Sequence, residues 1–410
     1  MKLIAKLRSP FRQYLVVTAN YWLFTLTDGA LRMLIVLHFF SQGYTALQIA
    51  MLFVFYEAFG VVTNLLGGWL GARVGLNKTM NIGLFLQIIA LAMLLAPNQY
   101  LTMFWLMAAQ ALSGIAKDLN KMSAKSAIKS LLPTGESSTD SVMYTWVAAL
   151  TGSKNTLKGV GFFLGAMLLA AVGFSGAVSI LLLPLMLIWL FSLLVLQKDL
   201  GRASTGIKFA QLLAKSSKIN YLSAARLFLF AARDVWFVIA LPLYLASEFH
   251  WDHWKIGSFF AVWIIFYGLV QSIAPKLTRR STVPDGASAT RLGLLLLVLC
   301  TVLSSSFALG YYVASSLLIG LFAFAVVFAF NSAQHSYLII KYADKNSVAV
   351  DVGFYYMANA TGRLAGTVLS GWLYQSYGLA ACLWVSTVFV ALASYFATKL
   401  PRSTEESSEV

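Results

Sequence analysis

Charged side chains are scarce in this chain and acids scarcest, with 15 Asp and Glu against 30 Lys and Arg, and charged residues at 11% of 410 positions. A soluble domain of this length needs far more polar surface to meet water. Cysteine is nearly absent. Cys300 and Cys382 stand in apolar stretches, which excludes a disulfide framework and a thiolate metal site. There is no GxxxxGK(S/T) loop, because Gly75, Lys78 and Thr79 are wrongly spaced, so ATP binding has no carrier and a pump is disfavoured. No metal or nucleophile constellation is visible either. An enzyme is therefore not expected, nor a cofactor.

What the chain has instead is apolar length. Hydrophobic residues make up 59% of it, gathered into runs near the ~20 residues that cross ~30 Å of hydrocarbon. Twelve runs fall at 14–40, 46–70, 80–97, 100–120, 142–172, 174–196, 221–247, 255–275, 290–309, 311–333, 350–375 and 379–398. The first follows a basic leader, is too long for a signal-peptide core and lacks a small-residue cleavage pattern, so it reads as the first membrane helix. Basic residues crowd alternate connections: Lys2, Lys6, Arg8 and Arg12 before the first run, Arg73 and Lys78 after the second, and Lys276, Arg279 and Arg280 after the eighth. Among the opposite loops only the one after the seventh run carries a basic residue, Lys255. This asymmetry predicts cytoplasmic termini in a bacterial-type inner membrane. It also makes most of the +15 net charge a topology signal rather than a nucleic-acid surface.

The longest link, 197–220, separates 1–196 from 221–398, six runs each, and 399–410 forms a short tail with an acidic end at Glu405–Val410. Within the link, KFAQLLAKSSKIN has the pattern of an amphipathic surface helix. The halves echo each other weakly. Gln48-Ile49-Ala50 matches Lys255-Ile256-Gly257 at an offset of 207, which also sets Asn64 on Gln271 and Gly68 on Pro275. Thr151-Gly152 recurs as Thr361-Gly362. With the matching hydropathy order, these echoes indicate a duplicated six-helix unit and an all-α polytopic membrane protein. Twelve helices in two six-helix bundles around a central loop resemble the major facilitator superfamily, whose bundles rock about a site near the bilayer midplane. The loop Gly68-Trp-Leu-Gly-Ala-Arg73-Val-Gly75-Leu-Asn-Lys78 resembles that family's loop motif, although Ala72 stands where the family carries an acid. Gly161 and Gly165 have GxxxG spacing, but the proline of the superfamily's antiporter motif is missing.

Seven charges interrupt the apolar runs: Asp28, Arg32, Glu57, Lys158, Arg233, Asp234 and Arg363. A charge at a helix centre costs at least ~2.5–3.5 kcal/mol on insertion scales, so such residues face a bundle interior or a wet cavity. Asp28 and Arg32 share a face at i,i+4, where they either neutralise each other or serve a site. Arg226 and Arg233, seven residues apart, share a face of the seventh helix, with Arg226 nearer the membrane surface; Asp234 points about 100° away, toward a neighbouring helix. Arg32 and Arg233 can therefore converge on one anion from opposite bundles, an arrangement that resembles by position the organophosphate-transporting branch of the superfamily. Guanidinium forks match the paired oxygens of such oxyanions. Arg363 is a third candidate ligand, or else a structural partner of Asp234 or Glu57. Lys154 and Lys158 also share a face, Lys154 being close enough to the surface to snorkel. Lys117, Lys121 and Lys125 form a stripe that is either a solvated extension or a basic vestibule for anions. Glu57, a lone acid midway along its helix, is the preferred proton-coupling or gating group, ahead of Asp28. Asn64, Gln271 and Asn359 either orient substrate or pack between helices.

Three stretches narrow the likeness: Leu26-Thr-Asp-Gly-Ala-Leu-Arg32, Tyr56-Glu-Ala-Phe-Gly-Val-Val-Thr-Asn64, and the AKDLNKMSAKS core of Gly114 through Ser126. With Leu150-Thr-Gly-Ser-Lys-Asn155 and Lys158-Gly-Val-Gly161, they resemble the ArsJ-type organoarsenical efflux permeases. That resemblance implies export of 1-arseno-3-phosphoglycerate, a functional partnership with glyceraldehyde-3-phosphate dehydrogenase, and arsenate resistance. The residues themselves reach as far as a secondary transporter of a small organic anion. The rival expectations are a proton-coupled exporter of neutral or cationic drugs, which needs an acid-dominated cavity; an organophosphate antiporter; and a non-transporting sensor, which needs soluble domains.

Overall fold

In the computed structural model the described residues are 10–131, 139–196, 216–278, 284–343 and 348–402. They form twelve α-helices and a short 3-10 turn at Asn98–Tyr100. In chain order the helices are α1 Pro10–Ser41, α2 Ala46–Leu52, α3 Val54–Val74, α4 Leu76–Met93, α5 Met103–Leu131, α6 Thr139–Val195, α7 Ser217–Phe237, α8 Ala240–Ser247, α9 His253–Thr278, α10 Gly286–Ala308, α11 Val313–Tyr342 and α12 Val348–Ala397. Helix is the solution because hydrocarbon offers no partner for backbone N–H and C=O, so each run must satisfy its own. At the starts of α2 and α10, side chains meet the free N–H groups. Thr45 and Asp285 each close a capping box, with Gln48 and Ser288 respectively.

Helices do not map one-to-one onto crossings. Nine candidate spans are long and apolar enough among the described residues, and two of these, Gly152–Val195 and Asp351–Ala397, are 44 and 47 residues long. One crossing takes about 20 residues. Each long segment reverses at a glycine, Gly173 (φ 71°, ψ −177°) and Gly378 (φ 74°, ψ −174°), a backbone conformation essentially reserved for glycine. Both corners fall where the apolar runs divide, between 172 and 174 and between 375 and 379. Dividing there gives eleven crossings. Helix α5, whose lysines and Asp118 keep it off the apolar count, is the twelfth and packs on α1, α3 and α4. Helix α5 also runs eleven residues past its expected end at 120, because the lysine stripe remains helical. The expected surface helix covers 208–220; residues 208–215 fall outside the described residues, and 217–220 open α7. The acidic tail at 405–410 also falls outside the described residues.

Packing sorts the helices into two groups. Helix α1 lies along α6, and α4 and α3 lie along α5; in the second group α7 lies along α12, and α11 lies along α10 and α9. The groups meet along two seams, α6 on α9 and α12 on α2 and α3. In hydrocarbon such contacts depend on small residues that admit close approach. A Cβ at Gly161 would press on Leu26, Gly29 and Ala30 of α1. One at Gly366 would press on Ala231, Asp234 and Val235 of α7. Every residue of the second set stands 205 positions after its counterpart in the first. The duplication expected from faint echoes is thus visible as a repeated contact. In this register Lys158 corresponds to Arg363, and Asp28 to Arg233, while Arg32 corresponds to Phe237.

A candidate anion-binding cavity between the two helix groups

A cavity lies between the groups, lined by Asp28 and Arg32 of α1, Lys117 and Lys121 of α5, Lys154 and Lys158 of α6, Arg226, Arg233 and Asp234 of α7, Gln271 of α9, and Arg363 of α12. Neighbouring crossings run in opposite directions. The early turns of α1, α6, α7 and α12 and the late turns of α5, α9 and α11 therefore share one half of the membrane region, the half where the described chain begins and ends. Arg32 also borders a smaller pocket with Met33, Val36, Phe162, Phe237, Val238, Pro242 and Phe260. Arg32 thus marks the change from a charged chamber to an apolar one. Past it the two groups meet through Phe162 of α6, whose ring centroid sits 6.3 Å from that of Phe237 and 6.2 Å from that of Phe260, and Phe237 in turn lies 4.7 Å from Trp263. The Trp263 Nε1–H donates to the Leu321 carbonyl at 2.8 Å.

Charge is unequal on the cavity wall. Eight basic side chains line it and three acidic ones, Asp28, Asp118 and Asp234. A fourth acid, Glu57, is wholly buried one layer behind the wall. Its Oε1 accepts from Arg32 Nη2 at 2.7 Å and from Arg363 Nη2 at 2.6 Å. Lys117 Nζ lies 3.7 Å from its other oxygen. Arg363 in turn donates from Nε to Asp234 Oδ2 at 3.1 Å, and Arg233 donates from Nε to Asp234 Oδ1 at 2.7 Å. One continuous chain of ion pairs therefore joins α1, α3, α12 and α7, two helices from each group. Such buried pairs repay desolvation only where the geometry is good and the remaining polar atoms are met; here Glu57 Oε2 and Arg32 Nε have no hydrogen-bond partner among the described residues, so the network is only partly satisfied.

Several expectations change on this geometry. Asp28 and Arg32 do not neutralise each other. Asp28 Oδ1 accepts from the Tyr56 hydroxyl at 2.6 Å and Asp28 Oδ2 faces Lys158 Nζ at 3.7 Å, whereas Arg32 turns to Glu57. Each finds its nearer partner on an adjacent helix. Glu57 is no lone acid but the hub of three cations. Asn64 is not on the wall. It accepts from Lys121 Nζ at 2.5 Å and donates to the Gly60 carbonyl at 2.6 Å, so it holds a lysine rather than facing the cavity. Lys117 and Lys121 are turned into the wall, with side chains only 14% and 12% exposed, and both pair with Asp118. Gln271 is on the wall, accepting from Asn155 at 2.5 Å and donating to Ser332 at 3.2 Å. Arg32 and Arg233 both reach the cavity, but Arg233 spends its Nε and Nη2 on Asp234.

Asn359 is on the wall as expected, and wall residues that the sequence did not single out as ligands include Tyr21, Asn155, Arg226, Ser332 and Tyr356. Arg226 had a legible signal, the seven-residue spacing to Arg233, but its distance from the helix centre argued against depth. The hydroxyl and amide residues carried none, since such side chains are common inside helix bundles.

Residues 17–350 match the family profile described as Major Facilitator Superfamily. No curated protein matches the chain in sequence. Among solved structures, the human organic anion transporter MFSD10 (TETRAN) superposes with a TM-score of 0.70 at 16% identity, covering 95% of this chain and 100% of that one. A bacterial homologue of the iron transporter ferroportin, in its outward-facing state, superposes at 0.67 and 14% identity, covering 94% and 98%. At these identities the likeness establishes the fold.

Proposed function

The chain belongs to the Major Facilitator Superfamily, so it is a multi-pass membrane transporter, and on that footing we propose that it exports a small organic polyanion by alternating access. The observation that carries this reading is the cavity wall, with eight basic residues against three acidic ones. A desolvated cationic chamber attracts an anion far more strongly than water would allow and repels a cationic drug. That one protein of the same fold is an organic anion transporter agrees with this.

With the termini in the cytoplasm, as the distribution of loop lysines supports, the cavity faces the cytosol and loads from it. Lys117, Lys121 and Lys154 form the vestibule. Lys158, Arg233, Arg363 and Gln271 bind the anionic oxygens, and Arg32 lies at the inner end. Glu57 and Asp234 act as internal counterions that the incoming anion displaces, with Asp28 doing the same for Lys158, so these three acids gate the cavity. Separation of the apolar contacts beyond Arg32 then opens the other side. An inside-negative potential drives anion exit by ~2.3 kcal/mol per charge per 100 mV.

The finer identity of the cargo is an organoarsenate such as 1-arseno-3-phosphoglycerate, supplied by glyceraldehyde-3-phosphate dehydrogenase. Its support is the ArsJ-like sequence around Asp28, Glu57 and Lys117. Arsenate and phosphate groups offer guanidinium the same tetrahedral oxygens, so an organophosphate exchanger is the neighbouring reading. Everted vesicles containing the protein, given labelled arsenophosphoglycerate, phosphoglycerate or arsenite, distinguish these. Saturable uptake of arsenophosphoglycerate is expected, and preference for phosphoglycerate assigns the exchanger. Transport of arsenite alone, or of a cationic drug, overturns the proposal.

A further inference from the structure

Six of the eight basic residues on the cavity wall, Arg32, Lys117, Lys121, Lys158, Arg233 and Arg363, pair with carboxylates. Arg226 does not. It is 5% exposed, and its partners are neutral: Nε donates to Asn359 Oδ1 at 2.9 Å, and Nη1 donates to the Ser332 hydroxyl and carbonyl oxygens at 3.1 and 3.2 Å. A guanidinium has five N–H donors in a fixed fork. Among the described residues no acceptor meets the two of its Nη2 end, which stands beside the cavity that Arg226 lines. A buried charge with no counterion is strongly unfavourable unless something else supplies one.

Phe230 sets the distance to the next charge. Arg226 Cζ lies 4.0 Å from the centroid of its ring and Arg233 Cζ lies 4.8 Å from it. The two guanidinium carbons are therefore no more than about 9 Å apart. Both guanidinium groups pack over this one ring. Two anionic groups joined by three carbons and their ester oxygens span roughly 7–8 Å when extended, six bonds of ~1.5 Å each. That length fits between the two guanidinium groups.

We propose that Arg226, oriented by Asn359 and Ser332, forms a second anion subsite, and that with Arg233 it selects a substrate carrying an oxyanion at each end of a short chain. This rests on the anion-export reading and adds to it the number and spacing of charges. A molecule with one anionic group occupies one subsite and leaves the other guanidinium uncompensated. A molecule with two satisfies both at once, without a second penalty for immobilisation.

The test is calorimetric binding to the purified full-length protein in detergent, using pentylphosphonate and pentane-1,5-bisphosphonate, whose phosphorus atoms are likewise six bonds apart. The bisphosphonate should bind about 10- to 100-fold more tightly, as expected for one further charge-assisted contact. Arg226→Gln should bring the two affinities to within about threefold of each other. Asn359→Asp guards against a misfolded variant. It keeps the guanidinium and places a carboxylate beside Nε, and should collapse the ratio in the same way. Equal affinities in the natural protein, or a ratio that survives both substitutions, overturns the second subsite and leaves the anion reading standing. Binding of neither phosphonate overturns both.

Discussion

Glu57 shows why single buried charges are poor guides to role until their neighbours are known. Read alone it is an acid in lipid, a natural proton carrier; in the fold three cations surround it and two of them share one oxygen. Its place inside an apolar run was legible, but partners arrive from α1, α5 and α12, up to 306 residues away, and no spacing rule reaches that far. Asp28 and Lys158 make the same point: their i,i+4 companions were visible, and neither chose them. Removing one member of such a network strands the others. Glu57→Gln or Arg363→Gln should each destabilise the protein by about 3–5 kcal/mol. The double variant should lose less than the two summed, by about 0.5–3 kcal/mol, measured by reversible unfolding in detergent. Strict additivity would mean that the 2.6 Å pair carries no coupling.

Helices were largely legible because hydrocarbon thickness fixes their length and the breaks between them are short. The divisions at 172/174 and 375/379 anticipated the corners at Gly173 and Gly378 within a few residues, since a run too long for one crossing must reverse. What hydropathy could not supply is the continuation of α5 through its lysines, because charge ends an apolar run without ending a helix. Nor could it show which face of α6 meets α1 and which meets α9. The two glycine corners give a clean measurement. A Cβ at either position meets nothing within 4 Å, so substitution acts through the backbone alone. Gly173→Ala and Gly378→Ala should each cost about 1–3 kcal/mol and, given nearly equal dihedral angles, similar amounts. Thermal unfolding of the two variants side by side checks this, and a neutral result at one corner would mean that the chain turns there by another route.

Across the whole molecule, the cavity occupies the terminus-side half and the aromatic contacts occupy the other, so access should be one-sided. Ser336 lines the cavity, whereas Cys300 and Cys382 are buried. A Ser336→Cys variant should react with a membrane-impermeant maleimide in everted vesicles and not in intact cells, with little background from the two natural thiols. The reverse pattern would invert the proposed orientation. Twelve crossings, an anion-biased chamber and a twofold repeat were within reach of sequence because each follows from counts and periods. The wall itself was not, because it is assembled from seven crossings and depends on rotations about their axes. One consequence of the Glu57–Arg363 contact concerns traffic when nothing is bound. Any rocking that parts α3 from α12 must break it, and an empty protein has no anion to take the vacated place beside Arg363. The unladen carrier should therefore idle with its mouth toward the termini, and the membrane stays tight to ions between deliveries.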